Sequence, residues 1–149
     1  MMIQRIIMQK NIRLFIALFL GLLLLNGCSE LKQTDKEAAM LIQDYFQRQQ
    51  DGVINAAVQM YPVADQSHWL AFLQQAAKER GAVKAFVIES IEPNTVYSGK
   101  FYIATVRVTS SVAGGDDQTS LETVTALHKL SDDHIYLVSH MIKNIAGDR

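Results

Sequence analysis

A single cysteine, Cys28, stands in 149 residues, so no disulfide can close within this chain and its fold must rest on a packed core. Proline is nearly as scarce, with only Pro62 and Pro93, which excludes a proline-rich linker. No internal repeat and no low-complexity tract occurs. No basic run is present, so the charge pattern of a nucleic-acid binder is missing. The longest apolar run covers residues 14–25, twelve positions. As a helix it would reach about 18 Å, short of the ~30 Å hydrocarbon core of a bilayer. Gly114-Gly115 lacks the Lys-Ser/Thr of a phosphate-binding loop, and no Gly-x-Ser-x-Gly nucleophile elbow is present.

What the N-terminus does have is a graded pattern. Arg5, Lys10 and Arg13 precede the apolar run, and no acidic residue accompanies them. A positive start followed by a short apolar core is the build of an export signal rather than of a permanent span. Leu25-Asn26-Gly27-Cys28 follows at once. It resembles the lipobox of bacterial lipoproteins: Leu25, Gly27 and Cys28 match, and Asn26 departs from the small residue usual there. The resemblance implies cleavage before Cys28, with Leu25 and Gly27 read by the signal peptidase and the cysteine lipidated. Acyl chains contribute about 0.8 kcal/mol per buried CH₂, so two or three give stable membrane anchoring. Ser29 is not the Asp that resembles an inner-membrane retention signal. In a host with two membranes the expected address is therefore the periplasmic side of the outer membrane.

The expected organisation is a signal at 1–27, a lipidated tether at 28–34 and one domain at 35–149. Processing would leave 122 residues, enough for one core, with eleven basic against fifteen acidic side chains. Thr34 and Glu37 form a capping-box pattern, and Ala38, Leu41, Ile42, Tyr45 and Phe46 follow at helical spacing. Asp51-Gly52 should end that helix. A short second helix over 53–60 stops before Tyr61-Pro62. Asp65 or Ser67 is placed to cap a third helix, which carries Trp69, Phe72, Leu73 and Ala76 to a stop at Gly81. Residues 83–92, 100–111, 119–130 and 135–145 then read as strands, with Pro93-Asn94 and Ser98-Gly99 bracketing the first connection. Short links imply antiparallel pairing, so the expected fold class is α+β: three helices on a curved four-stranded antiparallel sheet.

That order resembles the nuclear transport factor 2-like superfamily, the cone-shaped fold that includes ketosteroid isomerases and SnoaL-like cyclases. The residues carrying the likeness are Tyr45-Phe46, Asp51-Gly52 through Met60-Tyr61-Pro62, and Trp69 through Arg80-Gly81-Ala82-Val83. It covers roughly 35–145 and brings no catalytic motif, so it speaks to fold more than to function. A cystatin-like helix-on-sheet domain is the nearest competitor.

Enzymes of the superfamily place an acid or base and a tyrosine inside the cone. Tyr45, Trp69 and Tyr102 are accordingly the candidates for lining a pocket, although core packing is the favoured role for Tyr45 and Trp69. Asp44 falls on the polar side of its helix and makes a poor base. His68 belongs to a solvated first turn. A two- or four-residue last loop puts His128 and His140 on opposite faces; a three-residue loop puts them on one face. Even together they offer two nitrogen ligands without an obvious carboxylate, too few for zinc. Neither a metal nor a cofactor is expected, and no catalytic residue is assigned. The leading expectation is a membrane-tethered, non-catalytic accessory domain that binds a small apolar ligand or an envelope protein, with no role in nucleic-acid binding. An isomerase- or cyclase-type enzyme and a homodimer formed through the outer sheet face are the alternatives.

Overall fold

The computed structural model describes residues 33–96 and 99–144. The export signal, Leu25, Gly27 and Cys28 lie outside the described residues, as does Tyr97. The described residues begin in helix α1, Gln33–Gln50, which already includes Thr34, the residue that the capping box would place at the N-cap. Thr34 is therefore helical rather than a cap. Ala38, Ile42, Tyr45 and Phe46 form the buried stripe, with Gln49 continuing it, and Leu41 is packed at its margin. The helix ends as Asp51-Gly52 suggests. Gly52 takes a positive φ of 77°, and the amides of Gly52 and Val53 return to the carbonyls of Gln49 and Arg48.

Helix α2 is a single turn, Ile54–Val58. A 3₁₀ turn, Val63–Asp65, runs directly into α3, Gln66–Glu79. Asp65 holds the N-cap position without a side-chain cap bond, because the preceding turn already supplies the helical entry. No helix among the described residues is long and apolar enough to cross a membrane.

Strands β1 (Ala82–Val96), β2 (Gly99–Ser111), β3 (Gln118–Lys129) and β4 (Ile135–Asn144) pair antiparallel in the order β1-β2-β3-β4. Pro93-Asn94 is not a turn: Pro93 pairs with Tyr102 and Asn94 with Phe101 inside the ladder. β1 is an edge strand, and a proline there costs no obligatory inter-strand bond. Alternation sends Tyr102, Ala104, Val106 and Val108 of β2, and Val124 and Ala126 of β3, into the core beneath α1. The fold is α+β, with helices packed on a four-stranded antiparallel open sheet.

Candidate functional site

The inward alternation of β3 does not stop at apolar residues. Ser120, Glu122 and His128 occupy the same face as Val124 and Ala126, and all three are buried. On β4 the pairing steps from Ser139 opposite Thr125 to Leu137 opposite Ala126, leaving Val138 as an extra residue. This bulge changes the parity of the strand, so Leu137 and His140 both turn inward. Opposite them, α1 presents Tyr45 and α3 ends on Arg80. Gly81 makes that ending feasible. Its φ is 85°, and a side chain there would collide with the Ser111 backbone, so only glycine lets the chain turn from α3 into β1 with Arg80 inside.

These elements close a continuous polar chain through the core. The Tyr45 hydroxyl lies 3.1 Å from the Tyr61 hydroxyl and 2.8 Å from His140 Nδ1. His140 Nε2 meets Glu122 Oε2 at 2.6 Å, and Ser120 donates to Glu122 Oε1 at 2.9 Å. Arg80 Nε stands 2.8 Å from the same Oε1, an ion pair whose N–H is not aligned as a hydrogen bond. The guanidinium also donates to Gln49 Oε1 and to the Gly81 carbonyl. Aromatic rings enclose the chain: Phe46 and Phe72 lie against His140, and Trp69 stacks on Tyr61 at 4.5 Å.

The ionisation states follow from these neighbours. Burial works to raise the Glu122 carboxyl, but His140, Arg80 and Ser120 together outweigh it and hold the group below its usual range. Burial drives His140 down despite the attraction of Glu122, with Arg80 adding to the depression. Burial, reinforced by Tyr61 and Glu122, pushes Tyr45 well up, and burial raises Tyr61 as well. With Glu122 ionised and His140 neutral, the proton order is determined: Nε2–H donates to Glu122, and Nδ1 accepts from Tyr45. Tyr45 then accepts from Tyr61. The same connectivity could pass a proton from Tyr45 to His140, but every shift favours the resting arrangement.

The candidates from the sequence are distributed unevenly. Tyr45 and Trp69 belong to this cluster, Tyr45 with its hydroxyl fully engaged and Trp69 as a stacked, half-buried ring. Tyr102 stands apart, donating to Asp35 Oδ1 at 2.7 Å beside Lys100. Asp44 is half-exposed and paired with Arg48, and His68 is an exposed first-turn residue at the edge of Trp69. His128 and His140 do share a face, but His128 pairs with Ile135 and His140 with Val124, four positions along β3. The bulge, rather than a three-residue loop, puts them there. His128 is bonded to Asp133 instead. A carboxylate does stand beside His140, contrary to the sequence expectation: Glu122. Among the described residues no three metal-ligating side chains gather as a metal site requires.

Sequence reasoning missed Glu122, Arg80 and Gln49. The available signal was parity: Ser120, Glu122, Val124, Ala126 and His128 alternate through a strand whose apolar members must face the core.

Beside the polar chain, a groove of about 200 Å³ lies between α3 and β4, walled by Phe72, Gln75, Ala76, Glu79, Arg80 and Ile142. None of Tyr45, Trp69 and Tyr102 lines it. No protein-family model matches this chain, and no curated protein matches it.

Proposed function

We propose that this chain is a bacterial lipoprotein, anchored through lipid on Cys28 and facing the periplasm from the outer membrane of a two-membrane host. Its domain is a non-catalytic accessory module of the nuclear transport factor 2-like cone type, binding a small apolar ligand or an envelope protein. The observation that carries the non-catalytic reading is the closure of the polar chain. Tyr45, Glu122 and His140 are buried, bonded to one another, and held in ionisation states that oppose proton transfer. A catalyst needs an unfilled position against its reacting groups, and the groove beside the chain is walled by none of these three. The outer sheet face supports a partner protein or second copy as occupant, since Val87 and Met141 each expose 62% of their surface and the exposed Ile103 pairs with Thr125.

Expression of a Cys28→Ser precursor tests the anchor: loss of both lipid labelling and signal cleavage is expected, and normal maturation would contradict it. Cross-linking in cells, with native mass spectrometry of the purified protein, tests the accessory role. A second reading, an isomerase- or cyclase-type enzyme, is favoured by the convergence of Tyr45, His140 and Glu122. Turnover that disappears in a folded Tyr45→Phe variant would replace the accessory reading with it.

A further inference from the structure

We propose that the groove between α3 and β4 binds small neutral amphipathic molecules: a ring or chain of about six carbons bearing one uncharged hydrogen-bond acceptor. This deepens the ligand-binding part of the accessory reading and does not depend on the anchor.

Size sets the first limit. A volume of about 200 Å³ is somewhat larger than the ~150 Å³ cavities that admit benzene, so it suits a ring or short chain with a head group. Phe72, Ala76 and Ile142 offer apolar walls to the body of such a molecule, while Gln75 and Glu79 are polar walls. Arg80 supplies the specificity. It is a wall of the groove, only 4% exposed, and pinned by Glu122, Gln49 and the Gly81 carbonyl. Gln49 and the Gly81 carbonyl use two of the five guanidinium N–H bonds, while Glu122 holds the group as an ion pair, leaving donors for an acceptor on the ligand. The side chain is already immobilised, so binding need not order it.

Charge decides which acceptor. The Arg80 cation is balanced by the Glu122 carboxylate behind it, and Glu79 adds a second carboxylate at the groove. An anionic head would meet two carboxylates for one shared cation, and a cationic head would meet Arg80. An amide, ketone or hydroxyl avoids both penalties while still accepting from the guanidinium.

Trp69 makes this measurable, being the only tryptophan and 5.4 Å from the Phe72 ring. The full chain in phosphatidylcholine vesicles would be titrated with hexanamide, hexanoate and hexylamine. Tryptophan emission would be followed, and probe partitioning corrected on protein-free vesicles. Hexanamide is expected to saturate with a Kd at least tenfold below those of the two charged probes. Ala76→Leu, which fills the groove, should weaken hexanamide at least tenfold. Gln75→Phe should do the same from an exposed position, independently of whether the core accepts the larger side chain of Ala76→Leu. Equal binding of the charged probes, no saturable response, or a folded Gln75→Phe variant that binds unchanged would overturn the proposal. Loss of hexanamide binding with normal lipid labelling of Cys28 would remove the groove alone and leave the anchored-domain reading intact.

Discussion

At the scale of single residues, Glu122 is the group on which the interior depends. It neutralises Arg80, orients His140 and accepts from Ser120, all away from water. Replacing it with Gln strands a buried cation, so Glu122→Gln should cost about 3–5 kcal/mol in urea unfolding. The exposed Glu89–Arg107 pair is the control: Glu89→Gln should cost less than about 1 kcal/mol. Tyr45→Phe leaves His140 Nδ1 and the Tyr61 hydroxyl short of a partner, a loss of about 1–3 kcal/mol. The pH dependence has a definite sign. His140 is depressed below 6.5, so the unfolded chain takes up its proton first, and stability falls as pH drops from 6.5 toward the folded value. Glu122 is depressed below 4.5, so its contribution is present above 4.5 and is lost as pH falls through its lower folded value. Both therefore act in the same direction. Urea midpoints should decline between neutral pH and pH 4, and His140→Gln should flatten the upper part of that decline.

At the scale of elements, the junctions carry more information than the elements they join. Gly52 and Gly81 both adopt positive φ, yet their surroundings differ. A side chain at Gly52 would meet open space, whereas one at Gly81 would meet the Ser111 backbone. Gly52→Ala should thus cost only the strain of a left-handed residue, about 1–2 kcal/mol. Gly81→Ala should cost several-fold more, because β1 cannot start where it does without moving Arg80. Thermal unfolding of the two variants side by side measures the difference. The β4 bulge at Val138 is a second junction of this kind. Hydrophobic alternation in β4 cannot reveal it, since a bulge is a relation between two strands and not a property of one.

At the scale of the whole molecule, stability should follow burial from the centre outward. β2 and β3 are flanked on both sides and carry most of the inward apolar residues, while α1 lies across the sheet and packs most against β1. The distal part of β1, residues 92–95, is exposed on an edge strand. Hydrogen exchange should be slowest at 102–108, 124–126 and 42–46, and fastest in the outer β1–β2 hairpin. Uniform protection across β1 would contradict this.

The chain's own pattern determined the element order, because 3.6-residue and two-residue hydrophobic periods are local properties that survive without a fold. It also determined the ends of α1 and α3, where glycine supplies a conformation other residues resist. The reading of Tyr45 as a core residue was legible for the same reason: it lies on the apolar stripe. The convergence of Tyr61, Arg80, Glu122 and His140 was not legible. Those residues lie on four separate segments, and their meeting depends on strand register, one bulge and the angle at which α3 returns to the sheet. Each of these is set by packing between elements, where the energy of a polar contact depends on burial that only the assembled core provides.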